Sequence, residues 1–173
     1  MSEWNQDDLS TYSSFGHPGV AESAINLIKS GANPNVKDDE LQSTPLINTS
    51  VTVNENSLEV AKVLIEYGAD INEVNMYGDT ALYELIYHHQ PGHFSYNEQL
   101  ARAQFLIDNG AKIETTFNGV YKSSLHLAVY RNARDMVLLL LKNGADKMFK
   151  NTNGQTLKEI AAAQGHNEIA ELF

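Results

Sequence analysis

The feature that most restricts how this chain folds is a short run of residues that occurs four times. Leu27-Ile-Lys-Ser-Gly-Ala-Asn-Pro-Asn35 returns as Leu64-Ile-Glu-Tyr-Gly-Ala-Asp-Ile-Asn72, as Leu106-Ile-Asp-Asn-Gly-Ala-Lys-Ile-Glu114 and as Leu140-Leu-Lys-Asn-Gly-Ala-Asp-Lys-Met148. Its glycines fall at 31, 68, 110 and 144, with spacings of 37, 42 and 34. A second motif follows each glycine by 12 or 13 residues: Thr44-Pro-Leu, Thr80-Ala-Leu, Ser123-Ser-Leu-His-Leu-Ala128 and Thr156-Leu-Lys-Glu-Ile-Ala161. Two unlike motifs held in phase over four copies predict an array of similar units. Each unit then buries its apolar face only against its neighbours.

Each motif has a mechanical reason. The apolar residues before Gly-Ala, such as Leu58, Val60, Ala61, Val63, Leu64 and Ile65, cover more than one side of a helix. That predicts a helix sandwiched between neighbours. The glycine ends it, because a left-handed residue past the last turn is easiest without a Cβ. The Thr or Ser opens the next helix, its hydroxyl accepting from a first-turn N–H. Pro45 stands at the first helical position, where its missing N–H costs nothing. Asn75-Met-Tyr-Gly78, Asn118-Gly119 and Asn151-Thr-Asn-Gly154 predict tight, hairpin-like turns. The unit is therefore turn, helix, short loop, helix.

These residues make the sequence resemble the ankyrin repeat family over roughly residues 16–173. The matching elements are the Gly-Ala-Asp-x-Asn and Gly-x-Thr-x-Leu runs, the stretch Ser123-Ser-Leu-His-Leu-Ala128 and the ending Gly165-His-Asn-Glu-Ile-Ala-Glu-Leu172. The resemblance implies an all-α repeat solenoid of helix-turn-helix units joined by hairpin-like turns. The expected organisation is an N-terminal cap at 1–35, repeats at 36–72, 73–114 and 115–148, and a C-terminal cap at 149–173. The N-terminal cap would hold a helix within 3–14, a Gly16-His-Pro-Gly19 loop and a second helix to about Ser30. The family's structural histidine occurs once, as His126, with Ile47, Tyr83 and Glu159 in its place elsewhere. Leu85 and Ile86 stand where the family has two alanines, so neighbouring helices are expected to be pushed apart there.

Departures from the repeat mark candidate functional segments. The segment Tyr87–Asn97, with Pro91-Gly92 inside it, lengthens the third unit, and Val51–Asn56 lengthens the one before. The first turn, Asp38-Asp-Glu-Leu-Gln42, carries three adjacent acids and no glycine. Met76 and Tyr77 sit at the second tip, and Phe117, Val120 and Tyr121 at the third. Aromatics at turn tips have no core to enter, which points to a partner or to the adjacent hairpin.

Charge and composition exclude several functions. A net charge of −10 argues against nucleic-acid binding, which needs a positive face. The balance is uneven: residues 1–114 sum to −12 and residues 115–173 to +2. The longest apolar run, Met136–Leu141, is far short of the roughly 20 residues of a membrane span. The opening Met1-Ser-Glu-Trp-Asn-Gln-Asp-Asp does not look like a secretory leader. Without cysteine there is no disulfide scaffold, thiolate zinc site or cysteine nucleophile. No serine-nucleophile elbow or phosphate-binding glycine loop occurs. His88, His89 and His93 are a candidate metal set, but two are adjacent and no acid joins them before Glu98, and Asp38-Asp39-Glu40 lacks the alternating spacing and distal Glu of a calcium loop. No cofactor, metal or catalytic residue is expected.

The functional expectation is a non-enzymatic protein-binding module. As the resemblance implies, recognition would use hairpin tips and the concave inner helices. Candidate contact residues are Asp38, Asp39, Glu40, Met76, Tyr77, Glu84, Tyr87, Phe117, Val120, Tyr121, Tyr130 and Arg131, with Asn48, Val51 and Leu127 on or near the same face. The acids would steer a partner with a basic surface and the aromatics would anchor it. One specific form is an immunity or antitoxin-like inhibitor of a basic toxin in a bacterial cytoplasm, monomeric when free. The alternatives are a general adaptor or host-directed effector and, in another class, an enzyme or metal protein using the 88–93 histidines.

Overall fold

The computed structural model describes residue 9 and residues 18–51, 55–88 and 96–173, apart from the side chains of Tyr96 and Tyr121. Within these residues run α1 (Pro18–Lys29), α2 (Pro45–Val51), α3 (Glu55–Glu66), α4 (Ala81–Tyr87), α5 (Tyr96–Asp108), α6 (Ser124–Tyr130), α7 (Arg134–Lys142), α8 (Leu157–Ala163) and α9 (Asn167–Ala170). One antiparallel pair, β1 (Glu114–Phe117) and β2 (Val120–Ser123), interrupts them. The helix expected within 3–14 lies outside the described residues. The loop expected to extend to Gly19 ends sooner, because Pro18 and Gly19 already stand in the first turn of α1. Proline's preset φ suits that position.

The helix ends follow from the motifs. Gly31, Gly68, Gly110 and Gly144 hold φ values of 99°, 91°, 97° and 88°. In each copy the Gly and Ala N–H groups turn back onto the helix. Gly68, for example, donates to the Ile65 carbonyl at 3.1 Å and Ala69 to that of Leu64 at 2.8 Å. This pair of hydrogen bonds satisfies carbonyls the helix would otherwise leave open. Asn132, with φ 55°, closes α6 in the same way. At the other ends, the hydroxyls of Thr44, Thr80, Ser123 and Thr156 each accept the N–H three residues on, at 3.2–3.4 Å. Glu159 completes a capping box at Thr156.

The helices stack in two rows. α2, α4, α6 and α8 pack in succession as the inner row, while α1 meets α3, and α5, α7 and α9 continue the outer row. Leu46, Leu82, Leu125 and Leu157, one from each inner helix, are buried between the rows with Ile28, Leu64, Leu106 and Leu140 from the outer helices. Each such side chain removed from water contributes about 1.5–3 kcal/mol. Leu85 and Ile86, the residues in place of two alanines, are fully buried.

Polar side chains link one unit to the next. Asn35 donates to the Gly68 carbonyl at 3.0 Å and accepts from the Asp70 N–H at 2.7 Å. Asn72 repeats this on Gly110 and Lys112 at 3.1 and 2.8 Å. Glu114, at the third copy, accepts from the Asp146 N–H at 3.2 Å. On the outer side, α5 buries Arg102, whose guanidinium donates to the Thr49 carbonyl of α2 at 2.9 Å and to Ser57 Oγ of α3 at 3.0 Å. Beside it a groove of about 220 Å³, lined by Glu55, Leu58, Glu98 and Ala101, lies between α3 and α5.

The turns differ in construction. Asn75 Oδ1 accepts from the N–H groups of Tyr77 and Asp79, and Asn151 does the same for Asn153 and Gln155. Asn118 and Gly119 instead form a two-residue hairpin turn with φ 49° and 77°. Two consecutive left-handed residues match the twist of paired strands. In the first turn, where no glycine occurs, Gln42 adopts φ 55°. The Asp38 carboxylate accepts the Leu41 N–H at 2.7 Å, and the Gln42 side chain donates to the Asp38 carbonyl at 2.9 Å.

Candidate protein-binding surface

The first three hairpin tips form a continuous row because each is fastened to the next. The Met76 N–H donates to the Leu41 carbonyl at 2.8 Å, joining the first tip to the second. The base of the Phe117 ring lies over Gly78, in space that any Cβ there would occupy. Lys122 Nζ meets Asp79 at 2.6 Å and so fastens the third tip to the second. Along this row Leu41, Met76, Tyr77 and Val120 are exposed. Phe117 is half-buried, so of the two destinations open to tip aromatics it takes the adjacent hairpin, at least for one side of its ring. The Tyr121 side chain lies outside the described residues. Asp39 and Glu40 are exposed, whereas Asp38 is half-buried and serves the turn.

A second apolar line runs along the far ends of the inner helices. Val51 closes α2, Tyr87 closes α4 and Tyr130 closes α6, and all three are exposed. Arg131 places its guanidinium 5.4 Å from the centre of the Tyr87 ring. Asn48 and Leu127, expected on or near this face, are buried and offer little surface.

Between the two lines α4 carries a polar floor. Positions three and four apart share a helix face, which groups Tyr83, Glu84, Tyr87 and His88. Lys122 lies 5.0 Å from the centre of the Tyr83 ring while it pairs with Asp79. Burial, with Asp79 and Glu84 nearby, raises the Tyr83 phenol pKa. Glu84 accepts from Asn75 Nδ2 at 2.9 Å and lies 3.3 Å from His88 Nε2. Its side chain is 14% exposed. Burial and the like charge of Asp79 push its carboxyl above the usual 4.5. His126 is also half-buried, stacked on Phe149 with ring centres 5.1 Å apart, and burial lowers its pKa.

His88 is engaged with Glu84, and the other two residues of the histidine set, His89 and His93, lie outside the described residues. Among the described residues no three His, Asp or Glu side chains converge to hold a metal ion. Nor is any described helix long and apolar enough to cross a membrane.

A family model described as ankyrin repeats (3 copies) matches residues 12–116 and 93–173. The chain belongs to the ankyrin repeat family. An ankyrin repeat protein of Rickettsia felis is 34% identical over 147 residues, covering 84% of this chain and 43% of the relative. One of Acanthamoeba polyphaga mimivirus is 29% identical over 135 residues, 78% of this chain and 76% of that protein. The transient receptor potential cation channel subfamily A member 1 homolog of Caenorhabditis elegans is 27% identical over 133 residues, 10% of its length. This chain thus spans less than half of the Rickettsia relative and a small part of the nematode one. Ankyrin repeats generally mediate protein–protein interaction and are typically non-enzymatic.

The sequence pointed to Glu84, Tyr87, Tyr130 and Arg131 by their phase from each helix cap; the fold sets Tyr87, Tyr130 and Arg131 at the C-terminal ends of α4 and α6, with Glu84 one turn earlier on α4. It did not single out Leu41, Asp79, Tyr83 or Lys122 as surface partners. Asp79 and Lys122 are 43 residues apart, and only the register between neighbouring units brings them together.

Proposed function

We propose that this ankyrin array is a non-enzymatic binding module that captures a partner protein with a basic surface. The observation that carries the reading is the pair of exposed apolar lines, Leu41-Met76-Tyr77-Val120 on the tips and Val51-Tyr87-Tyr130 on the inner helices, with a carboxylate floor between them. Aromatic and methionine side chains flanking a polar centre are what a protein interface needs for anchoring. The −12 balance of residues 1–114, with Asp39 and Glu40 exposed at the first tip, supports a basic partner and fast, salt-sensitive association. Its finer form is an immunity or antitoxin-like inhibitor that covers the positive substrate face of a toxin.

The test is capture from the native source with the wild-type chain and with the double change Met76→Ala and Tyr77→Ala. The reading expects one specific basic protein with the wild type and its loss with the double variant, the fold being unchanged by circular dichroism. Equal recovery of that protein by both forms would remove the tips from the mechanism. An association rate independent of salt would remove the charge steering.

A further inference from the structure

We propose that the floor of the inner face, at α4, receives the guanidinium of an arginine carried by the partner, with Glu84 as its carboxylate. The inference rests on the binding-module reading and adds the side chain that the module recognises.

The floor already holds two cations, and both come from the same side. Lys122, on β2, sits against Asp79 and over Tyr83, and Arg131, at the end of α6, sits over Tyr87. A carboxylate beside an aromatic ring is a favourable place for a positive charge, since both present negative potential to it. Glu84 lies on the same face of α4 but differs in its surroundings. Among the described residues its contacts are the Asn75 amide and the His88 imidazole, neither of them a permanent cation. The other flank of α4 is covered by α2, whose residues Pro45–Val51 include no charged side chain. The next three residues, Thr52-Val53-Asn54, carry none either. Among the described residues, then, the next unit supplies cations to Asp79, Tyr83 and Tyr87, and the preceding unit supplies none to Glu84.

Two further observations favour a cation from outside. A carboxylate has about four acceptor positions, and the two contacts of Glu84 occupy two of them. Burial and Asp79 make its charged form costly, so an arriving positive charge gains more there than at an exposed acid. Arginine fits better than lysine. Its guanidinium is planar, weakly hydrated, able to fork onto a carboxylate and to lie along tyrosine rings. Val51 and Tyr87, exposed at the C-terminal ends of α2 and α4, offer its aliphatic arm apolar surface.

The experiment is an NMR titration of labelled protein with N-acetyl-arginine methylamide, with the lysine and leucine analogues as controls. Saturable shifts are expected at Val51, Glu84 and Tyr87 with the arginine probe, weaker ones with lysine and none with leucine. The Glu84 carboxyl, followed by its carbon resonance, should titrate at lower pH when the probe is bound. Glu84→Gln should weaken the probe about tenfold or more, as loss of a charged hydrogen-bond acceptor does. Glu66→Gln removes the same charge from an exposed position just before Gly68, at the end of outer helix α3, and should change affinity less than about twofold. Shifts scattered over the surface acids, or unchanged affinity in Glu84→Gln, overturn the proposal. With the captured partner, tip variants that lose binding while Glu84→Gln keeps it would overturn the arginine site alone. Binding untouched by either set would overturn the module as well.

Discussion

Gly78 and Gly154 offer a controlled pair. They occupy the same place in two Asn-x-x-Gly turns, with φ values of 78° and 77°. Around Gly154 an added Cβ meets nothing within 4 Å, whereas at Gly78 it overlaps the Phe117 ring. Gly154→Ala therefore measures the backbone cost alone, about 1 kcal/mol once the reduced freedom of the unfolded chain offsets part of the left-handed strain. Gly78→Ala carries that cost plus overpacking of about 1–3 kcal/mol, which sums to about 2–4 kcal/mol. Adding Phe117→Ala to Gly78→Ala removes the ring but leaves the Phe117 Cβ, which the new methyl also meets, so the double variant should recover only part of the overpacking. Urea denaturation followed by circular dichroism gives all the required midpoints. Equal losses at the two glycines would refute the seating of Phe117 on the second tip. The result also bears on binding, since a ring held on Gly78 fixes where the third hairpin presents Val120.

Three other outcomes follow from the same geometry. Asn72→Ala loses two inter-unit hydrogen bonds and should cost about 1–2 kcal/mol by chemical denaturation, with Glu114→Ala, which loses one, costing about half as much. Arg102→Ala should cost about 3 kcal/mol, through the cavity and the stranded Thr49 carbonyl, while Arg102→Met, which refills the volume, should cost clearly less. Burial lowers the Arg102 pKa to about 10, so neither difference should vary between pH 6 and 8. Glu84 behaves oppositely. Because its folded pKa is raised, its contribution is most favourable below the unfolded value near 4.5 and is lost as pH rises through the folded value. The stability of Glu84→Gln relative to the wild type should therefore rise from acid to neutral pH, as thermal melts across that range would show.

How much of this was legible in the sequence depends on how far apart the interacting residues lie. The helix ends were readable because Gly31, Gly68, Gly110 and Gly144 act on carbonyls three to five residues away, and each Thr or Ser cap acts three residues on. Gln42 at φ 55° was not, since the turn without glycine is held by Asp38 and by glutamine's own side chain. Asn132 gave a weak local signal, as asparagine tolerates the left-handed region. Phe117 looked like a tip aromatic open to a partner because Gly78, 39 residues earlier, does not advertise itself as its seat. Arg102 reads as a surface charge on an outer helix, and its burial against Thr49 and Ser57 depends on where α2 and α3 meet. The floor of α4 was half visible: Glu84 and Tyr87 were found by phase, Tyr83 and Lys122 were not.

Arg102 has a bearing on how such an array can vary. One side chain ties the last turn of α2 and the first turn of α3 to α5, and both stretches of extra sequence emerge from helices that it grips. The register of α2, α3 and α5 is thus held by a contact that lies outside the added sequence. The clamp braces the helices behind the recognition face from a single buried guanidinium.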